Sequence, residues 1–198
     1  MRLMLVFLFL ALTPGGGLMA AERPSFAVER RVSDLEIRQY RPYVVAQTEV
    51  EGPIEAAGNE GFRRLAGYIF GGNGTGQKIA MTAPVAMAPL PEETQITPKG
   101  GGFLVQFMMP SSFTRASLPP PKDGRVTFAE VPARRMAALA YRGNWSEARY
   151  QIHLEKLRAA LAKEGLKAAG TPVWARYDPP FMPTFLRTNE ILVEVQVP

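Results

Sequence analysis

The sequence contains no cysteine and only one histidine among its 198 residues. The absence of cysteine excludes disulfides, thiolate metal sites and cysteine nucleophiles. A single histidine cannot supply the paired imidazoles of common zinc sites, and neither an HExxH nor a GxSxG segment is present. These absences argue against metal-dependent and hydrolytic chemistry, and we expect a protein that is not an enzyme.

The sequence also lacks the motifs of nucleotide and nucleic-acid binding. In the glycine-rich residues 71–78, Gln77 stands where a phosphate-binding loop carries lysine, and the segment follows a predicted helix instead of a strand. The net charge of +5 comes from scattered arginines, with no basic run, RNP-like strand or zinc-finger spacing. We therefore predict no nucleic-acid partner, although the charge favours anionic ligands.

Residues 1–21 have the organisation of a secretory signal peptide. Arg2 precedes an apolar run at residues 3–12, and Ala20 and Ala21 offer small residues for cleavage. The apolar run is too short to span the hydrocarbon core of a bilayer, and no other stretch of the sequence approaches that length. We expect the leader to be removed and the mature protein to be exported, most plausibly to the periplasm, without stable membrane insertion.

Alternating patterns in the rest of the chain predict mostly strands, with one helix in each half. Residues 35–40 and 43–50 have the alternation or β-branched content of strands. Residues 54–68 carry apolar side chains at helical spacing, and the glycines within them weaken the helix but allow close approach to its backbone. A second helix is predicted to begin near Asn144 and to end near Gly165. Its apolar stripe consists of Tyr150, Leu154, Leu157 and Leu161.

The order strand, strand, helix, strand, strand occurs twice, in residues 35–109 and in residues 126–197. This order indicates an internal duplication of a β-β-α-β-β-type unit within one domain at residues 22–198. The expected fold class is α+β, with an antiparallel, barrel-like sheet and two helices against it. In the first unit, residues 78–87 are predicted to form an edge or bulged strand because Pro84 has no amide hydrogen. Such a partly closed sheet leaves an apolar cleft.

Four segments together resemble the SOUL haem-binding protein family, in the right order and over essentially the whole mature chain. They lie at residues 35–40, 68–85, 107–132 and 177–190. The most specific are M-T-x-P-V in the second segment and the Y-x-P-P…R-x-N-E ending of the fourth. The resemblance implies a distorted antiparallel β-barrel flanked by two helices, built by duplication. It also implies non-covalent binding of haem or another porphyrin.

The resemblance implies that this ligand lies in an apolar cleft between the first helix and the loop that carries the Tyr-Asp-Pro-Pro segment. Carried onto this sequence, the cleft residues are Asn59, Phe62, Arg63 and Ala66 on the helix, faced by Phe181 and Met182. A flat macrocycle would bury apolar area on Phe62, Leu65 and Phe181. Candidates to pair with its propionates are Arg63, Arg64 and Arg187.

No metal site is predicted, although His153 is a candidate axial ligand because imidazole commonly binds haem iron. The other interpretation of His153 is a partly buried or surface side chain on the flank of the second helix. Two functions are weighed first: a non-catalytic carrier or buffer of a tetrapyrrole, and an effector- or protein-interaction module for another flat apolar ligand. A third, a tetrapyrrole-modifying enzyme that uses the bound iron, also stays open, although nothing in the sequence requires it. For the second function, the Leu-Pro-Pro-Pro sequence at residues 118–121 is either a contact surface or a rigid connector.

Overall fold

The structure, a computed structural model, describes residues 21–90, 102–179 and 181–196. The predicted signal peptide lies outside the described residues, apart from Ala21. Across these ranges, no helix combines the length and apolar character needed to cross a membrane. In chain order the elements are β1 (Phe26–Val32), β2 (Leu35–Tyr40), β3 (Tyr43–Glu51), α1 (Ile54–Ile69), β4 (Val85–Pro89), β5 (Gly102–Met108), β6 (Thr127–Val131), β7 (Arg134–Arg142), α2 (Glu147–Lys163), β8 (Ala168–Arg176) and β9 (Thr188–Val195).

The strands form one antiparallel sheet that curls into a half-barrel, in the order β1-β2-β7-β9-β8-β4-β5-β3-β6. Outward from the central β4–β8 pair, the order is β4-β5-β3-β6 on one side and β8-β9-β7-β2 on the other. The two sides therefore correspond strand by strand, and the first strand of each unit pairs with the other unit: β2 with β7, and β6 with β3. The predicted α+β class, with an antiparallel barrel-like sheet and two flanking helices, is confirmed.

The pleat of each strand divides its side chains between the two faces of the sheet. On β9, Ile191, Val193 and Val195 belong to the main core, which also contains the buried residues of both helices. Glu190 and Leu192 alternate with them and point to the opposite face. That opposite face, called here the helix-free face, carries a smaller apolar cluster to which no helix residue in the described ranges contributes.

Helix α1 lies very close to its neighbours because two of its glycines remove side chains at the contacts. A Cβ atom on Gly61 would lie 2.5 Å from Cγ2 of Val105 on β5, and one on Gly58 would lie 2.6 Å from the ring of Trp145. At Gly67, nothing lies within 4 Å of the corresponding position. At Gly58 and Gly61, the groups that approach the α1 backbone closely are therefore side chains of the protein itself.

The glycine contacts predict opposite effects for two matched substitutions. We expect Gly61→Ala to lower the free energy of unfolding by about 1–3 kcal/mol, because the added methyl group overlaps Val105. We expect Gly67→Ala to raise it by about 0.5–1 kcal/mol, because alanine favours the helix and meets open space. Urea unfolding of the two variants measures the difference, and equal effects would contradict the packing of α1.

Helix α2 packs on the second half of the sheet. Its predicted apolar stripe is buried along its whole length, from Tyr150 to Leu161. The helix begins at Glu147, later than the predicted start near Asn144, because Ser146 is still extended, with φ −131° and ψ 152°.

The prediction of a strand over residues 78–87 is wrong in its first part. Lys78 makes only an isolated bridge with Phe70, and β4 begins at Val85. Pro84 has no amide hydrogen to donate to a ladder, so regular pairing with β5 and β8 starts only after Pro84. With a neighbour on each side and no bulge in either ladder, β4 is neither the edge strand nor the bulged strand that the sequence predicts.

Candidate functional site

A cavity of about 370 Å³, called here the helix cavity, lies beside α1. Helix α1 contributes Asn59 and Phe62, the segment before β4 contributes residues 81–83, and the end of β8 with its following turn contributes residues 176–179. Its volume lies within the range of about 300–1,000 Å³ that is typical of ligand and cofactor sites. The lining is completed by Ala21, Phe70 and Val85.

Phe62 is the large apolar side chain that α1 presents to the helix cavity. It is 37% exposed, and its ring makes an edge contact with Phe107 of β5, with the centroids 5.5 Å apart. Phe107 is itself buried in the main core. Phe107 therefore supports the Phe62 ring, and part of the apolar surface of that ring stays accessible to a ligand.

Hydrogen bonds hold the segment before β4 in place. The hydroxyl of Thr82 donates to the carbonyl of Met108 at 2.6 Å, and the amide of Ala83 donates to the carbonyl of Glu22 at 2.8 Å. Met81 is partly buried and packs against the main core. This wall of the helix cavity is therefore formed before any ligand arrives.

Arg176 is the only cationic side chain that lines the helix cavity in the described part of the chain. Its guanidinium carbon lies 3.6 Å from the centroid of the Trp145 ring, a cation–π contact. Burial lowers the pKa of Arg176 below its ordinary value, and the charge of Arg187 acts in the same direction. A desolvated cation of this kind attracts an anionic group more strongly than an exposed arginine does.

The turn after β8 is tied to the start of β9. The carboxylate of Asp178 accepts a hydrogen bond from the amide of Thr188 at 2.5 Å. Further along, Arg187 Nε donates to the carbonyl of Met182 at 2.8 Å, and the amide of Met182 donates to the carbonyl of Pro179 at 3.0 Å. These bonds fix the second wall of the helix cavity.

Five helix residues are predicted at the cleft, four by the resemblance and Leu65 as a further apolar contact. The structure brings two of them, Asn59 and Phe62, to the helix cavity. Leu65 and Ala66 lie on the side of α1 that packs into the main core, and Leu65 has no exposed surface. Core packing therefore covers both residues. The side chain of Arg63 is 75% exposed and forms an ion pair with Glu60, so it points away from the helix cavity.

The two loop residues that the resemblance implies, Phe181 and Met182, do not line the helix cavity. Phe181 is 85% exposed, and Met182 is partly buried. Arg176, which does line it, was not predicted from the sequence. The alternation of β8 carried a signal for it, because Arg176 lies two residues after the buried Trp174 and so shares its face.

His153 lies on α2 and lines none of the cavities described here. Its ring stacks on Tyr141, with centroids 3.9 Å apart, and its Nδ1 lies 2.8 Å from the carbonyl oxygen of Arg149. Burial lowers the pKa of His153 below its ordinary value of 6.5. Within the described ranges there is also no group of three histidine or acidic side chains able to hold a metal ion.

Several solved structures share this fold at low sequence identity. The EcmrR C-terminal domain has a TM-score of 0.63 at 12% identity, over 82% of this chain and 96% of that one. A hydrolase from Listeria innocua has a TM-score of 0.56 at 11% identity, over 82% and 92%. SAV2435 bound to tetraphenylphosphonium has a TM-score of 0.50 at 10% identity, over 82% and 93%. Identities this low establish a shared fold and nothing more.

No curated protein is detectably similar in sequence to this chain. The family model of the SOUL heme-binding protein, in contrast, matches residues 21–194. The match covers most of the chain, including both walls of the helix cavity, and it confirms the family that the four sequence segments indicated. The chain therefore belongs to the SOUL heme-binding protein family.

Proposed function

We propose that the protein binds haem or a related tetrapyrrole non-covalently in the helix cavity and acts as a carrier or buffer, without catalysing a reaction. The observation that carries this proposal is an apolar cavity of about 370 Å³ beside α1, in a chain of a haem-binding family. The proposed ligand lies between α1 and the turn at residues 176–179.

Apolar contact is the main source of affinity in this proposal. Phe70 lines the helix cavity and is 62% exposed, so much of its ring is available next to Phe62. Burial of apolar surface stabilises a complex by roughly 25 cal/mol per Å². A flat macrocycle laid against these two rings therefore gains affinity without a bond to its iron.

Arg176 is the proposed partner of a propionate group. A charge-assisted hydrogen bond from a partly desolvated guanidinium to a carboxylate is stronger than one between neutral groups. The arginines suggested by the sequence are engaged elsewhere: Arg63 and Arg64 pair with Glu60, and Arg64 also donates to the carbonyl of Glu49. Arg187 donates to the carbonyl of Met182.

The residues around the helix cavity fit the macrocycle better than they fit the iron. No histidine lines it among the described residues, and the thioether of Met81 is the soft donor that does. When bound, haem would supply the redox and oxygen chemistry of its iron. The chain's own contribution is an apolar surface, a cation for the propionate and partial exclusion of water.

Titration with hemin tests the proposed function. We expect the purified protein to give a saturable, one-to-one shift of the Soret band. Because His153 lies outside the helix cavity, His153→Ala is expected to leave the spectrum of the complex unchanged. A titration without a shift of the Soret band would contradict haem binding. A spectrum that changes in His153→Ala would indicate that His153 on α2 binds the iron.

The second candidate function is an effector- or protein-interaction module for another apolar ligand. One solved relative by fold, SAV2435, is bound to an apolar organic cation. The proline-rich residues 118–121 do not favour the protein-interaction form, because Leu118 and Pro119 are buried and the carbonyl of Pro119 accepts a hydrogen bond from Tyr68. Mass spectrometry of lipophilic material that co-purifies with the protein distinguishes these ligands.

We also propose that the mature protein is exported to the periplasm after removal of the leader. Ala21 lines the helix cavity, and the carbonyl of Glu22 accepts a hydrogen bond from the amide of Ala83. Cleavage after Ala20 would therefore place the new amino terminus at the edge of this cavity. We expect the intact mass of protein from a periplasmic extract to match a chain that starts at Ala21 or Glu22. An intact leader on the extracted protein would contradict the proposal.

A further inference from the structure

A second cavity, of about 190 Å³, lies on the helix-free face of the sheet. Its lining comes from β2, β7, β8 and β9 and from neighbouring segments, and no described residue of either helix contributes to it. Tyr177 is the one described residue that lines both this cavity and the helix cavity. We call it the sheet cavity.

A buried ion pair forms one wall of the sheet cavity. Arg38 donates two hydrogen bonds to the carboxylate of Glu190, at 2.7 and 3.0 Å, and the hydroxyl of Tyr177 donates to the same carboxylate at 2.5 Å. Arg38 and Glu190 are 6% and 7% exposed. Arg38 also pairs with Glu36, which in turn pairs with Arg31. The two carboxylates are therefore matched by two guanidinium groups within the protein and present no spare negative charge to a ligand.

Three other polar groups of the sheet cavity each have a hydrogen-bond donor that finds no acceptor among the described residues. The hydroxyl of Tyr40 accepts from Arg38 at 3.1 Å, and that of Tyr43 accepts from Arg134 at 3.0 Å. Neither hydroxyl donates to an acceptor within the described residues, and Nε of Arg134 is buried there without a partner. Burial raises the pKa of Tyr40, so its phenol keeps its proton at neutral pH.

The charge and the shape of the sheet cavity favour the same kind of ligand, an anion, as its unused hydrogen-bond donors do. Three arginines and one glutamate line the sheet cavity, so its wall is cationic overall. One of them, Arg23, lies over the ring of Tyr177, at 4.7 Å from its centroid. The apolar part of the lining includes Phe26, Met136 and Leu192. A dry cavity of about 150 Å³ already admits a benzene ring, so the sheet cavity has room for one ring.

We propose that the sheet cavity binds a small organic anion, a carboxylate that carries a single apolar ring. The carboxylate accepts hydrogen bonds from the hydroxyls of Tyr40 and Tyr43 and pairs with the positive charge of Arg134, and the ring lies among the apolar side chains. This site is separate from the helix cavity, so the protein has a second ligand of a different chemical class.

Benzoate is the probe for this site, with benzyl alcohol and benzyltrimethylammonium as neutral and cationic analogues of similar size. In isothermal titration calorimetry of the purified protein, we expect saturable binding of benzoate and at least about tenfold weaker binding of both analogues, because only the anion both accepts hydrogen bonds from the unused donors and carries a charge opposite to that of the arginines. Absence of heat with benzoate, or preference for the cation, would overturn the proposal.

Variants locate the binding. We expect Arg134→Gln and Tyr43→Phe each to weaken benzoate binding about fivefold or more. The matched control is Arg135→Gln, which removes the same charge from the next residue of β7, on the opposite face, where Arg135 pairs with Glu29. It is expected to bind like the original protein. Tyr43→Phe keeps the ring and all three arginines, so it tests the site even if Arg134→Gln folds poorly. Unchanged binding in folded Tyr43→Phe and Arg134→Gln would overturn the proposal.

The two ligand proposals fail separately. Phe62→Asp changes only the helix cavity, so benzoate binding is expected to persist in it. Arg134→Gln changes only the sheet cavity, so its hemin titration is expected to match that of the original protein. Loss of benzoate binding in Phe62→Asp would show that benzoate occupies the helix cavity and would overturn the assignment of a second site.

Discussion

Replacement of Arg38 with methionine is expected to lower the free energy of unfolding by about 3–5 kcal/mol. The reason is that Glu190 would keep its charge in a buried position and lose the guanidinium that balances it. The hydrogen bond from Tyr177 alone does not replace that charge. Urea unfolding of Arg38→Met, followed by circular dichroism, measures the loss as a lower midpoint at an unchanged slope.

The double variant Arg38→Met with Glu190→Leu separates the cost of an unpaired charge from the worth of the pair. Replacing both partners of a buried ion pair with apolar residues is often neutral or stabilising, whereas removal of one partner is not. We therefore expect the double variant to be more stable than Arg38→Met. Glu190→Leu alone is measured in the same way. If the double variant loses as much stability as Arg38→Met and Glu190→Leu lose together, Arg38 and Glu190 are not coupled.

Replacement of Phe62 with aspartate is expected to weaken hemin binding at least about tenfold, since the loss of one buried aromatic contact amounts to roughly 1.5–3 kcal/mol. The decrease in hemin affinity is expected to exceed the loss of this contact alone, because the introduced carboxylate is desolvated by the ligand and repels its propionates. Phe62 is 37% exposed, so the folded protein tolerates the change better than it would tolerate a change in the core. Hemin titrations followed at the Soret band compare the dissociation constants.

Ile152→Asp is the matched control for the substitution of Phe62. Ile152 is an exposed apolar residue on α2, 54% exposed, and it lies outside the helix cavity. The Ile152→Asp variant carries the same added charge on the other helix, and its hemin affinity is expected to equal that of the original protein. Equal losses in the two variants would show that overall charge, and not the helix cavity, governs binding.

The fold was largely predictable because its signals are local. The period-two alternation in β2 and the apolar stripe of α2 each lie within one element, and the order of elements repeats along the chain. The exchange of first strands between the units was not predictable in this way. Nothing in the residues of β2 specifies that its partner is β7, which lies about a hundred residues further along the chain.

The sites were less predictable because they depend on distant pairings. Alternation in β2 marks Arg38 as a residue of the polar face, and solvent exposure is the ordinary fate of such a residue. Its burial is explained by Glu190, which β9 brings to the same face from 152 positions away. Likewise, whether Phe62 or Leu65 faces the helix cavity depended on how α1 packs against Val105 and Phe107.

Because β2 pairs with β7 and β6 pairs with β3, neither unit contains all of its own sheet partners. With the pairing seen in this fold, a chain of one unit would expose an open sheet edge and would find its missing strand on a second copy. A single unit expressed alone is therefore expected to form a strand-swapped homodimer. In this protein both units lie in one chain, so the exchange is intramolecular and does not depend on protein concentration.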